Sequence, residues 1–335
     1  MGFMNLIRGR LNPHAEPTAS FDGKTILLTG GSDGIGLEAA VKFLRLGASS
    51  VTIGARNTEK AEKAKAEIEQ RAERPGTVRI WPLEMNNYKS VAEFAERASK
   101  ELPRIDVALL NAGLMFRDYV SSPEGWEEIL QVNTLSTIYL AILLLPQLRA
   151  SRTETDIPRL VFTASSRFKG CTLEELTPPN GGKVIDYLNR KDTFNSQLQY
   201  SASKLLIEFG MRHIAEHTKD SDGNIQVIVS SVCPGFCSSS LGRCFDRSYE
   251  VYLGAVFFAI FANPAEVGGR TLVSAAGHGV DSHGKTRLED HYPDISDLFV
   301  ESKEGRELGD KVWQEILEEL KGQRYIAGSQ QTHLG

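Results

Sequence analysis

A single α/β domain, built on a doubly wound, mostly parallel sheet with helices on both faces, is what this 335-residue sequence predicts. Short apolar runs alternate with longer segments of helical spacing, the order that builds parallel sheets. The apolar runs are also continuous, as in strands covered on both sides. No interior linker, repeat or low-complexity tract divides the chain. Residues 21–325 are therefore read as one domain, between an arm at 1–20 and a tail at 326–335. The apolar fraction of 41% is ordinary and allows a sizeable core. Net charge is −5 with both signs dispersed, which offers no basic face to a nucleic acid.

The first 20 residues lack a continuous apolar core and a cleavage signature, so no signal peptide is read there. "KTILLTG" (24–30) is the first strand, and in "GLEAAVKFLRLGA" (36–48) Leu37, Ala40, Val41 and Leu44 share a helical face. "SVTIGAR" (50–56) is the second strand; "TEKAEKAKAEIEQRAE" (58–73) is a charged helix with Glu59 and Lys63 at supportive spacing. "VRIWPL" (78–83) is the third strand, and Pro82 puts it at a sheet edge or marks its end. "SVAEFAERASKEL" (90–102) opens with Ser90 and Glu93, a capping-box pattern. "IDVALL" (105–110) is the fourth strand, followed by a long helix over 124–145 that ends near Pro146. "RLVFTA" (159–164), a helix over 200–217 and "IQVIVSSV" (225–232) continue the alternation. The longest apolar run, "VYLGAVFFAIFA" (251–262), is too short to span a bilayer. It reads as a buried helix, with an interfacial or substrate-lining helix as the alternative. "DKVWQEILEEL" (310–320) is amphipathic and is expected to pack on its own domain.

Cys171, Cys233, Cys237 and Cys244 lack metal-type pairing and read as reduced thiols of an intracellular protein. The histidines form no ligand set: His213 and His217 share a helical face without a third partner, so no metal is expected.

"TGGSDGIG" (29–36) stands between the first strand and the first helix. Gly30, Gly34 and Gly36 let the backbone turn sharply and approach a pyrophosphate, which then faces the helix N-terminus. The strand–turn–helix context gives this spacing its meaning. At the end of the second strand, dinucleotide folds carry an acid for the adenine ribose; here the chain has Arg56. Arginine suits a 2′-phosphate, so NADP(H) is expected to be preferred over NAD(H). A charged hydrogen bond contributes roughly 1.5–3 kcal/mol, a preference of about tens-fold. Asp33 opposes this if its side chain points at that phosphate.

Further motifs stand at strand ends: "NAG" (111–113), Asn133 in "QVNTLS", Ser165 in "RLVFTASS", Tyr200 and Lys204 in "YSASK", and "CPGFCSSSL" (233–241). In this order, over residues 22–290, they resemble the short-chain dehydrogenase/reductase family. Arg56 and the long interval between Ser165 and Tyr200 resemble its retinol-dehydrogenase-like branch, and the overall texture resembles fungal members acting in secondary metabolism. The resemblance implies a single-domain Rossmann fold and a catalytic set of Asn133, Ser165, Tyr200 and Lys204. Tyr200 would be the acid/base. Lys204 would hold the nicotinamide ribose and lower the pKa of Tyr200. Ser165, with Ser166 as a rival, would bond the substrate oxygen, and Asn133 would hold a relay water. Ser32, Asp33 and Ile35 of the glycine loop, with Asn111, Ala112 and Gly113, are expected to line the cofactor. Pro234, Gly235 and Ser239 would sit near the nicotinamide, Ser239 replacing the family's usual threonine. Glu84 stands where the family usually has an aspartate against adenine, which puts that contact in question. The polar, turn-rich interval at 166–199 is expected to be a flap over the substrate pocket, against a passive surface insertion.

A free phenol has a pKa of about 10, and a neighbouring ammonium favours its ionised form. The expected activity is therefore NADP(H)-dependent interconversion of a carbonyl and an alcohol on a small, apolar molecule. A catalytically silent NADP(H)-binding regulatory or scaffold protein is the alternative. A sugar-nucleotide epimerase or dehydratase fits less well, because those space their glycines differently and Asp33 falls where a middle glycine would stand. A cytoplasmic location is expected, with a membrane-peripheral one as the variant, and a homo-oligomer is left open.

Overall fold

Seven strands pair in one all-parallel sheet of order β3-β2-β1-β4-β5-β6-β7. They are β1 (Thr25–Thr29), β2 (Ser50–Ala55), β3 (Val78–Pro82), β4 (Val107–Leu110), β5 (Arg159–Thr163), β6 (Ile228–Cys233) and β7 (Thr286–Leu288). The computed structural model describes residues 13–179, 181–238, 241 and 261–323. Cys244 and most of the apolar run at 251–262 lie outside them, as does the tail. Pro82 ends β3, which is the sheet edge expected of a strand that lacks that amide donor. β7 went unread in the sequence because three residues in a turn-rich stretch show no period.

Two helical layers cover the sheet. On one face lie α1 (Gly34–Arg45), α2 (Thr58–Ala72) and α8 (Ala265–Ala276), packed on Ile26, Leu28, Val51 and Ile53. On the other lie α3 (Tyr88–Glu101), α4 (Glu128–Ala150), α7 (Ser196–His217) and α9 (Lys303–Lys321), packed on Leu27, Ala108, Leu110 and Phe162. Ile26, Leu27 and Leu28 thus alternate between two cores, and all three are fully buried. That is why the central strands β1 and β4 read as apolar runs, while edge strand β3 exposes Arg79.

Two helix boundaries differ from the sequence reading. Asn87, not Ser90, caps α3: its Oδ1 accepts from Ser90 N at 2.9 Å. The Ser90 hydroxyl instead accepts from Glu84 N at 2.9 Å. α4 runs through Pro146, which sits on the exposed face while Leu148 beyond it is fully buried. Burial of that last turn outweighs the lost amide bond. Among the described residues, α4 alone is long and apolar enough to cross a membrane, and it is mostly buried within the fold.

The interval at 166–199 folds as a short 3-10 turn (Ser166–Gly170), α5 (Leu173–Leu176) and α6 (Val184–Leu188) before α7. Its middle is fixed to α9. Glu315 Oε2 accepts from Val184 N at 2.8 Å and Ile185 N at 3.1 Å, and Lys183 pairs with Glu318 at 2.9 Å. α9 in turn buries Trp313 against α7, stacked on His213 at 5.1 Å. Trp313→Ala should cost about 3–5 kcal/mol, read as a lower urea midpoint at unchanged m-value. A loss under about 1 kcal/mol would mean that α9 is held by something else.

The N-terminal arm, irregular over 13–20, lies on α8: buried His14 bonds Thr271, and Glu16 pairs with Lys42 at 3.0 Å.

Candidate active site

A cleft of about 740 Å³ runs along the C-terminal ends of β1, β2, β4, β5 and β6. It straddles the point between β1 and β4 where the strand order reverses, the place where this topology leaves a crevice.

The glycine loop forms its floor. Gly30 has φ +68°, and a Cβ there would lie 2.9 Å from Ala112 Cα. At Gly36, in the first turn of α1, a Cβ would meet Gly30 O at 2.3 Å and Asn111 Nδ2 at 2.7 Å. Asn111 lines the cleft and also braces it: Nδ2 donates to Gly30 O at 3.1 Å and Thr29 O at 3.2 Å. Thr29 Oγ1 accepts from the backbone of Asn111 and Ala112 at 3.0 and 2.9 Å. Ser32, Gly34 and Ile35 also line the cleft.

Asp33 caps α1, accepting from Gly34 N at 2.7 Å, and pairs with Lys60 of α2. Its charge is therefore engaged within the loop. Arg56 lines the cleft with a half-exposed side chain, 3.9 Å from Glu84. Glu84 lines it too, between Leu83 and Met85. This end thus offers two cations and two carboxylates. Lys60 was not singled out in the sequence, although it stands one helical turn beyond Arg56.

At the other end, Tyr200 and Lys204 lie one turn apart on α7, with Nζ 5.8 Å from the Tyr200 ring centre. Lys204 Nζ donates to Thr163 O, the last carbonyl of β5, at 2.9 Å. Ser165 lines the cleft close enough to the Tyr200 hydroxyl to act on its acidity, and its Oγ accepts from Arg167 N at 3.3 Å. Ser166 is not among the residues that line the cleft, and its backbone N–H donates to Cys233 Sγ at 3.2 Å. Asn133 sits in the middle of a π-helical turn, Gln131–Leu135, inside α4. That turn widens the helix just where the side chain must reach out. Oδ1 accepts from Leu114 N at 2.9 Å, while Nδ2 donates to Leu114 O at 2.9 Å and to Ser203 Oγ at 3.1 Å. A relay water would therefore have only the spare Oδ1 lone pair and the main-chain carbonyl to bind. A Cβ at Gly113 would stand 3.3 Å from Asn133 Oδ1 and 3.7 Å from Lys204 Nζ.

The electrostatics differ from the sequence reading. Burial pushes the Tyr200 hydroxyl up to about 12, partly opposed by Ser165 and by Arg167. Burial also pulls the Lys204 ammonium down to about 8. Desolvation, not the neighbouring ammonium, sets the resting acidity of the phenol, which keeps its proton at neutral pH.

Pro234 and Gly235 line the cleft beside Cys233, Phe236 and Cys237; Ser239 lies outside the described residues. The three described cysteines are free and buried. From the ends of the 166–199 interval, Arg167 and Gln197 reach the cleft. Neither was anticipated, although Arg167 follows the strand-end Ser165 by only two positions. Among the described residues, no three His, Cys, Asp or Glu side chains converge as metal ligands.

Comparison with known proteins agrees with this geometry. The family model described as short chain dehydrogenase matches residues 24–168. The short-chain dehydrogenase/reductase phmF of Phaeosphaeria nodorum is 42% identical over 316 residues, covering 94% of this chain and 91% of the relative. The short-chain dehydrogenase/reductase ffsI of Aspergillus flavipes is 40% identical, covering 93% and 90%. Among solved structures, the Pseudomonas aeruginosa RhlG/NADP active-site complex superposes with a TM-score of 0.62 at 22% identity, over 82% of this chain and 98% of that one. That likeness is one of fold. Relatives matched over nine-tenths of both chains leave one reading: the chain belongs to the short-chain dehydrogenase/reductase family.

Proposed function

We propose that the protein is an NADP(H)-dependent oxidoreductase that interconverts a carbonyl and an alcohol on a largely apolar small molecule, within fungal-type secondary metabolism. One observation carries the reading. Ser165, Tyr200 and, one turn on, Lys204 line one end of a cleft whose other end holds the glycine loop and Arg56.

The residues present suit a dinucleotide. The loop leaves no room for side chains at Gly30 and Gly36, and the cleft is long enough to join a phosphate end to a proton-transfer end. Gly30, Ser32, Asp33, Gly34, Ile35 and Gly36 would hold the pyrophosphate, and Asn111, Ala112 and Gly113 the adenosine side. Arg56 with Lys60 would take the 2′-phosphate, Glu84 the adenine, and Lys204, Pro234 and Gly235 the nicotinamide riboside, with Ser239 expected beside them. The bound nicotinamide supplies or accepts hydride at the substrate carbon. Tyr200 donates its proton to the carbonyl oxygen in reduction, and Ser165 steadies that oxygen as charge develops. Asn133 fixes the loop after β4 beside Lys204. Leu114, Met115, Phe236 and Leu241 give apolar walls that favour an apolar substrate. The fungal sources of phmF and ffsI support the metabolic setting, and the NADP in the RhlG complex supports the cofactor.

The test is NADPH oxidation by purified protein across a panel of ketones and aldehydes. Tight NADPH binding with no hydride lost to any of them would favour a silent binding protein instead. The cofactor preference has its own check. Arg56→Asp should lower the NADPH-over-NADH ratio of kcat/KM roughly tenfold, the lower end for a charged contact because Arg56 is half-exposed. An unchanged ratio would reject Arg56 as the phosphate ligand.

A further inference from the structure

The proton-transfer end of the cleft carries a cation that the chemistry above does not use. Arg167 lines it, with Nη2 3.3 Å from Oε1 of Gln197, which stands three residues before Tyr200 on α7. Among the described residues, no carboxylate pairs with Arg167. Its backbone N–H is held by Ser165 Oγ, so its Cα is fixed relative to the serine that lines the cleft with the phenol.

Among the described residues, no anion stands there for the guanidinium to serve. The carboxylates that line the cleft, Asp33 and Glu84, follow β1 and β3 at the adenosine end. Glu289, behind Gly235, faces His14 at 3.7 Å. With parallel strands about 4.8 Å apart, the ends of β2 and β5 are three strand steps or about 14 Å apart, so Arg167 and Arg56 serve different parts of the cleft. Besides Gln197, the cleft lining includes the apolar Leu114, Met115, Phe236 and Leu241, and the charged residue lining the proton-transfer end with Arg167 is another cation, Lys204. Water satisfies the exposed guanidinium in the open cleft. A substrate that displaces this water must replace its hydrogen bonds, and a planar oxyanion does so in two-pronged fashion.

We propose that Arg167 is a specificity residue that binds an oxyanion of the substrate, a carboxylate or an ionised enol or phenol, next to the reacting carbonyl. The inference rests on the function proposed above and names its substrate class.

The test uses matched pairs with the full-length enzyme: a keto acid against its methyl ester, and an acidic 2-acylphenol against its O-methyl ether. The wild type should favour the anionic member of one pair, and that pair identifies the source of the oxyanion. R167Q should lower the anion-over-neutral ratio of kcat/KM about tenfold, mostly through KM, and R167K should restore part of it. Added salt should shrink the wild-type ratio. An equal loss on both members of each pair, or no loss, overturns the proposal. So does a matching fall in NADPH affinity, which would give Arg167 to the cofactor. If the wild type reduces nothing, the function proposed above has failed, and binding decides this one. Calorimetric titration of the same pairs into the enzyme–NADP+ complex should show weaker anion binding in R167Q, and equal affinity would overturn the proposal.

Discussion

Tyr200→Phe is expected to lower kcat for NADPH-dependent carbonyl reduction by about a thousandfold while leaving the NADPH Kd within about twofold. The change removes one hydroxyl at the cleft and leaves the ring on α7. Ser165 loses a polar neighbour but keeps its bond to Arg167 N, and no charge is stranded, so the fold should hold. What disappears is the proton that must reach the carbonyl oxygen as hydride arrives. Because burial holds the phenol at about 12, that proton is in place across the neutral range. The rate of reduction should therefore show no loss from phenol ionisation up to about pH 9. Stopped-flow NADPH oxidation with wild type and variant measures both effects. A variant turning over at more than about a tenth of the wild-type rate would remove Tyr200 from the chemistry.

Gly36→Ala is expected to raise the NADPH Kd by at least about a hundredfold, close to 3 kcal/mol. The added methyl would lie 2.3 Å from Gly30 O, and that contact is with backbone, which cannot swing aside as a side-chain tip can. Either α1 or the loop must move, and both set the floor of the cleft. Asn111, 2.7 Å from the same point, would be pushed off the carbonyls that it holds. Fluorescence titration with NADPH gives the affinity, and thermal unfolding separates a shifted loop from a lost fold. A variant with unchanged Kd and melting temperature would show that the loop does not hold the cofactor.

Much of the sheet could be read from the chain because central strands such as β1 and β4 are apolar runs buried on both faces, whereas edge strand β3 carries the exposed Arg79 and was legible from its place in the alternation. The helix through Pro146 could not be read, because the signal at that point is local and the reason it continues is the burial of Leu148 one turn on. The cleft splits along the same line. Gly30, Ser165, Tyr200 and Lys204 stand next to strand ends or at fixed helical spacing, so their order along the chain announces them. Lys60, Arg167 and Gln197 reach the cleft only because the sheet brings separate strand ends together. The resting acidity of Tyr200 was not legible for a related reason. The spacing shows which charge is nearby, but not how much water the fold removes.

The helix bearing Tyr200 and Lys204 lies between the sheet and α9, with Trp313 locked against His213. Segments clamped on two sides are among the last to exchange their amide hydrogens, whereas surface connections open far more readily. Heating should therefore open the exposed connections first, while the proton-transfer pair, held in the same core as α9, keeps its spacing until the fold itself gives way.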